Sequence, residues 1–174
     1  MLKIILIVVV AALALVLAFA ATKPDTFRVE RSALVKAPPE KVHALINDMH
    51  AFNTWNPWAK KDPAIKGNYS GPNSGKGSGY AWESEKVGTG SMEITDTATP
   101  SSVKLKLDFL KPFEAHNFAE FTLTPEAGST RVVWAMHGPA PYFSKLMQVF
   151  MSMDKMVGKD FEEGLATLKH IAES

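Results

Sequence analysis

The 174-residue chain contains no cysteine. Disulfides, thiolate metal sites and thiol nucleophiles are therefore excluded. The absence says nothing about compartment, since a chain without cysteine suits any redox environment. Excess charge is also lacking: 19 Lys and Arg against 18 Asp and Glu leave a formal net charge of +1. There is neither the basic surplus that nucleic acid demands nor an acidic tail, so no nucleic-acid partner is expected. No Gly-x-Ser-x-Gly elbow is present, which removes that kind of hydrolase nucleophile. The five histidines, His43, His50, His116, His137 and His170, show no metal-ligand spacing, and neither a metal nor a cofactor is expected. Tryptophan is scarce, yet two of the four, Trp55 and Trp58, fall in the short stretch NTWNPWAK at 53–60.

Charge is absent in one place for a different reason. From Ile4 to Ala21 the chain is an uninterrupted apolar run after Lys3. As a helix this run spans roughly 27 Å, close to the hydrocarbon core of a thin bilayer. The run exceeds the usual signal-peptide core of about 7–15 residues, which favours an uncleaved anchor. A cleaved signal remains the alternative, because Ala18-Phe19-Ala20 resembles a small-x-small processing site. The short N-terminal tail places the following domain outside the cytoplasm in both readings, on the periplasmic side of a bacterial cell. Residues 1–22 are read as the membrane segment, 23–26 as a linker marked by Pro24, and 27–174 as one domain. Without the first 22 residues, 18 basic and 18 acidic residues remain, so that domain is neutral.

Phe27–Val35 alternates apolar and polar residues, the signature of a strand, with Arg31 interrupting the apolar side. Pro38-Pro39 opens a helix, where proline is tolerated in the first turn. Val42, Leu45, Ile46 and Met49 then supply one apolar face. A second short helix is expected near His50–Trp55, ended by Asn56-Pro57, since proline disfavours the α conformation in the residue before it. Between Ile65 and Gly138 the period is two throughout. Val103, Leu105, Leu107 and Phe109 alternate with Lys104, Lys106 and Asp108, and Val132, Trp134 and Met136 form a similar set. Turn residues at Val87-Gly88, Thr99-Pro100, Lys111-Pro112 and Ala127-Gly128 separate the runs, so consecutive antiparallel strands are expected. After Pro141 the period becomes helical, and a single long helix is expected from Tyr142 to Ala172. Gly158 and Gly164 within it imply a bend or close approach of another backbone. A one-sided sheet must cover its apolar face, and only this final helix is long enough to do so.

The order of elements, with WNPW, GPNSGKGSGYAWES, Gly90-Ser91-Met92-Glu93-Ile94 and the ending Phe161–Lys169, resembles the SRPBCC superfamily, also called START-like or helix-grip. The nearest branch is the polyketide cyclase/dehydrase and lipid-transport group. The resemblance covers about Phe27 to Glu173. It implies an α+β helix-grip fold: a curved antiparallel sheet of about seven strands around a long C-terminal helix, with two short helices after the first strand. It also implies a hydrophobic cavity between sheet and helix, able to hold a lipid, polyketide, steroid or similar molecule, and it carries no shared catalytic residue set.

On that basis the cavity or its mouth is expected to involve Trp55, Trp58, Tyr80, Trp82, Met92, Leu105, Leu107, Phe121, Trp134, Met147, Phe150 and Met153. Trp55 and Trp58 close one end, either as a core plug or as part of a ligand mouth. Arg31, His116 and His137 are the candidate polar cavity groups, although by parity both histidines sit opposite the apolar sets. Glu83, Glu85 and Glu93 read as a solvated outer face. The glycine-rich run from Gly71 to Gly79 misses the phosphate-loop spacing, because Ser70 stands where the first glycine belongs. It reads as a hairpin connection. Asn68-Tyr69-Ser70 fits the glycosylation pattern on three residues only. No residue is singled out as catalytic. The leading expectation is a monomeric, membrane-tethered module binding an apolar small molecule or lipid. The alternatives are a cyclase or dehydratase-like enzyme, and an interaction or stress-response domain with a vestigial cavity.

Overall fold

A computed structural model describes all residues 1–174. An apolar helix α1 (Leu2–Ala21) leads into β1 (Thr26–Val35). Three short helices follow: α2 (Pro39–Asn47), α3 (Met49–Trp55) and α4 (Pro57–Lys61). Six strands come next: β2 (Lys66–Ser70), β3 (Gly79–Ser84), β4 (Gly88–Ala98), β5 (Ser102–Lys111), β6 (Ala115–Glu126) and β7 (Ser129–Pro139). Helices α5 (Tyr142–Phe150) and α6 (Met153–Glu173) end the chain. The seven strands form one sheet, in the order β1-β7-β6-β5-β4-β3-β2, with every neighbouring pair antiparallel.

Each strand sends alternate residues to the two faces of the sheet. Along β5, Val103 and Leu105 are buried while Lys104 and Lys106 are exposed. The inward residues of β1 and β3–β7 meet α2, α3 and α6 in one core that includes Val42, Ile46, Trp55, Phe121, Phe161 and Leu168. None of the core residues comes from α1. The expected helix-grip architecture is present.

Two local expectations need correction. The short helices number three. Asp48 accepts hydrogen bonds from the His50 and Ala51 amides and starts α3. Asn56 accepts from the Trp58 amide, and Pro57 takes the first helical position, so the chain restarts as α4 where a plain turn was expected. The final helix is divided. Met151 adopts an extended conformation and Ser152 caps α6 by accepting from the Lys155 amide. Aspartate in the next turn suits a helix start.

The helix glycines make room for side chains, where a bend or close backbone approach was expected. A methyl group on Gly164 would lie 2.8 Å from Trp134 Cζ3 and 3.1 Å from Pro57 Cδ. A methyl on Gly158 would meet the Arg31 guanidinium. At Gly164 the neighbours are rings, which cannot retreat as a flexible chain can. Gly164→Ala is therefore expected to lower stability by a net of about 1–2 kcal/mol. Overpacking of roughly 1–3 kcal/mol outweighs a helix-propensity gain of about 1 kcal/mol. Urea unfolding monitored by near-ultraviolet circular dichroism measures it, and a stabilised variant would contradict this packing.

Candidate ligand cavity

The sheet and α6 do not close completely. A cavity of about 140 Å³ remains between them. Its sheet wall is Tyr80 and Trp82 of β3, Met92 of β4, Leu105, Leu107 and Phe109 of β5, Ala119 and Phe121 of β6, and Trp134 and Met136 of β7. Phe52 of α3, Trp58 and Ala59 of α4, and Val157 and Phe161 of α6 form the helical wall, with Asn56, Ile65 and Val87 completing it. The rings hold one another in place. Trp134 stacks on Phe161 at 4.1 Å between centroids and 5° between planes, and Phe121 covers Trp134 at 5.1 Å. Trp58 meets both Trp134 and Phe161 edge-on. On the other side, Trp82 reaches across Gly90 of β4 to pack against Phe109.

Eight of the twelve expected apolar residues are in this wall: Trp58, Tyr80, Trp82, Met92, Leu105, Leu107, Phe121 and Trp134. Four are elsewhere. Trp55 is fully buried in the core, with its indole N–H donating to the Leu45 carbonyl at 2.9 Å. The two tryptophans of NTWNPWAK thus divide the roles: Trp55 is a plug and Trp58 a wall. Met147 and Phe150 lie on the exposed side of α5, because the helix break at Met151 takes them off the stripe that faces the sheet. Met153 packs against the edge of the core. The wall also includes residues not singled out from sequence. Phe109, Ala119 and Met136 have the same strand parity as the expected ones, and Phe161 lies on the same helical stripe.

None of the candidate polar groups reaches the cavity. Arg31 points from β1 to α6 and lies across Gly158, where it pairs with Asp154 and Glu162, both at 2.7 Å. His116 is on the outer face, bonded to Asp108 at 2.7 Å and Glu114 at 3.3 Å. The Asp108 hydrogen bond raises its pKa. His137 stacks on Phe118. Glu83, Glu85 and Glu93 are exposed, as their parity implies.

Buried polarity in the wall comes from three other groups. Asn56 is buried, with its Oδ1 accepting from the Trp58 amide and its Nδ2 donating to Asn53 Oδ1. One N–H and one lone pair of its amide remain free. Tyr80 is buried, and desolvation raises the pKa of its hydroxyl, so it stays neutral at pH 7. The third is the Trp134 indole, whose buried Nε1 has no hydrogen-bond partner. Cζ3 of the same ring faces Gly164, so the N–H edge points the other way. A buried donor left unpaired costs about 1–3 kcal/mol. The wall holds no carboxylate, imidazole or amine.

Beyond Trp58 and Val87 the surface changes character. These two residues also border an open cleft of about 1190 Å³. Lys61, Lys66, Lys86 and Lys111 surround it, with Asp62, Glu83 and Glu85. Trp58 and Val87 therefore separate a small apolar chamber from a large polar one.

Residues 26–173 match the family described as polyketide cyclase / dehydrase and lipid transport. The chain belongs to that family. No curated protein matches the sequence at a significant level. Among solved structures, protein CV1439 from Chromobacterium violaceum superposes with a TM-score of 0.59 at 14% identity, covering 87% of this chain and 99% of its own. Ara h 8.0201 gives 0.59 at 13% identity, covering 84% and 97%. The di-domain ARO/CYC BexL gives 0.61 at 13% identity, covering 90% of this chain and 53% of its own. At these identities the likeness is one of fold, and this family member has the curved sheet and C-terminal helix in common with them.

The Arg31 cluster makes a pH prediction. Its hydrogen bond to Arg31 holds the Asp154 carboxyl below its ordinary value, which is about 4. The ionised form is favoured in the folded state, so its contribution is present above the unfolded value and lost as pH falls through the lower folded value. The fall in melting temperature below about pH 4 should be shallower in Asp154→Asn than in the native protein. Thermal melts from neutral to acid pH measure this, and parallel curves would contradict it.

Proposed function

We propose that this protein is a membrane-tethered module that binds the apolar part of an amphipathic small molecule or lipid. Residues 1–22 serve as the anchor, 23–26 as a linker and 27–174 as the binding domain. The observation that carries the proposal is the pairing of two chambers across Trp58 and Val87, one lined almost wholly by apolar side chains and the other by charges.

Size constrains the ligand. Pockets for drug-sized molecules usually span roughly 300–1,000 Å³, and a cavity near 150 Å³ holds a molecule such as benzene. The inner chamber therefore takes a ring or a short chain end in this conformation. The rest of a longer ligand extends past Trp58 into the cleft, where lysine and carboxylate side chains meet polar substituents. Binding follows from removal of apolar surface from water, at about 25 cal/mol per Å². The Trp134 N–H adds direction, because a carbonyl, ether or hydroxyl oxygen would satisfy it. The family description names lipid transport beside cyclase and dehydrase activity. Binding is favoured over catalysis because the wall offers no group that titrates near neutral pH, as a general acid or base would.

The anchor reading is supported by α1 itself. Its 20 residues are apolar except for Lys3, and only Ala20 is buried. A helix of that length is about 30 Å long, which matches the hydrocarbon core.

Lipid extraction of the purified full-length protein followed by mass spectrometry should yield a bound amphiphile. Two near-isosteric probes test the chamber directly. Acetophenone, with a carbonyl acceptor, should bind more tightly than ethylbenzene. Trp134→Phe should weaken acetophenone by about tenfold, as expected for loss of a hydrogen bond of 1–2 kcal/mol, and leave ethylbenzene nearly unchanged. Calorimetric titration reads both. Absence of any extracted ligand together with no saturable binding of either probe would refute the proposal.

A further inference from the structure

Helix α5 is amphipathic in the reverse sense. In a helix on a water-soluble domain, the apolar stripe faces inward and the polar face meets solvent. In α5, Lys145 is buried and bonded to Asp25, and the side-chain nitrogen of Gln148 is buried without a partner. Phe143, Met147 and Phe150 face outward, and Phe150 is 75% exposed. Their spacing of four and three residues puts them on one face.

The exposed stripe has a neighbour. Phe113, at the tip of the β5–β6 hairpin, packs on Phe143 with ring centroids 5.5 Å apart and is itself 64% exposed. Leu110 on the same hairpin is also exposed. The helix and hairpin tip thus present one apolar surface outside the core.

The position of this surface identifies what covers it. Helix α5 packs against α1, and the Tyr142 hydroxyl donates to the Leu17 carbonyl at 2.9 Å. Only the four residues Thr22–Asp25 separate α1 from β1, a reach of at most about 14 Å. The Ala140 amide also donates to the Asp25 carbonyl, tying the exit of β7 to this linker. The surface is therefore continuous with the C-terminal end of a helix long enough to span a bilayer, where that helix leaves the hydrocarbon.

We infer that α5 and the β5–β6 hairpin tip lie in the interfacial layer of the same bilayer that holds α1, with Phe113, Phe143, Met147 and Phe150 turned into lipid. The inference rests on the tethering reading above. An interfacial helix buries its apolar face about 5–10 Å into the headgroup and acyl boundary, which explains why the aromatic residues of α5 are on its outer side. It also fixes the attitude of the domain. The start of β1 pairs with the end of β7, and the start of β6 pairs with the end of β5. Val87 and Phe109 are at this same end of the sheet. The cavity mouth therefore opens beside the membrane surface.

The absence of cysteine makes the test clean. Single-cysteine variants of the full chain, Phe113→Cys, Phe150→Cys, Val9→Cys within α1 and Lys76→Cys at the far end of the sheet, are each labelled with an environment-sensitive nitrobenzoxadiazole dye. They are reconstituted into vesicles of phosphatidylcholine with a minority of phosphatidylglycerol. We expect blue-shifted emission at positions 113 and 150, quenched by nitroxide lipids labelled near the headgroup. Position 9 should be quenched by nitroxides deep in the chain, and position 76 should remain aqueous. All four sites are exposed on the protein itself, and circular dichroism checks that each variant is folded. A shielded position 9 with aqueous 113 and 150 overturns this inference and leaves the tether intact. An aqueous position 9 overturns the tether and this inference with it. Shielding at 113 and 150 that disappears on dilution with empty vesicles, with thiol cross-linking between chains, assigns the face to a second copy and also overturns the inference.

Discussion

Contact between the Trp134 and Phe161 rings seats the covering helix on the sheet. The two rings lie parallel at 4.1 Å, and Gly164, one turn further along α6, leaves space for the indole edge. An antiparallel sheet with one apolar face is stable only when that face is covered. Here a single helix does most of the covering, so the place where it touches determines how much of the interior is filled. Close contact near β7 and β1 holds α6 to one side of the sheet. The strands on the other side, β3 to β5, then line a space that neither α6 nor the short helices fill. The cavity is a consequence of where the helix is seated.

The same seating explains the polar residues near the helix. Arg31 comes from an apolar strand face and would be costly there without partners, because a buried charge needs pairing. Asp154 and Glu162, one turn to either side of Gly158, supply them at the edge of the interface. The charge is thereby confined to the rim, and the chamber behind it stays neutral. Asn56 is polar within the wall for a local reason: it caps α4 by accepting from the Trp58 amide and donates back to Asn53 of α3.

Much of the sheet was legible from sequence because its period is short and regular. The alternation Val103, Leu105, Leu107, Phe109 identifies both the strand and the wall it contributes. The roles of Trp55 and Trp58 were not legible, because their directions depend on the Asn56 cap restarting the helix between them. The division between α5 and α6 is hidden because Phe150 and Met153 stay in helical period across the break. Only the serine cap at 152, with an acidic residue two positions later, marks it. An apolar stripe has the same period whether it faces a core or something outside it, so periodicity alone groups Met147 and Phe150 with the cavity residues. The Arg31 partners required knowing that a strand near the start and a helix near the end lie together. The Asp154-Gly158-Glu162 spacing on one helix face was the available sign.

The ten-residue pairing of β1 with β7 has a mechanical consequence. Any tension applied through α1 enters the domain at Thr26 and runs along β1. In an antiparallel pair the interstrand hydrogen bonds lie perpendicular to the strands, so a pull directed along β1 loads them together in shear. Arg31, clasping α6 from the middle of the same strand, carries part of the force into the helix. The strand nearest the apolar N-terminal helix is thus the one best placed to resist being drawn out of the domain.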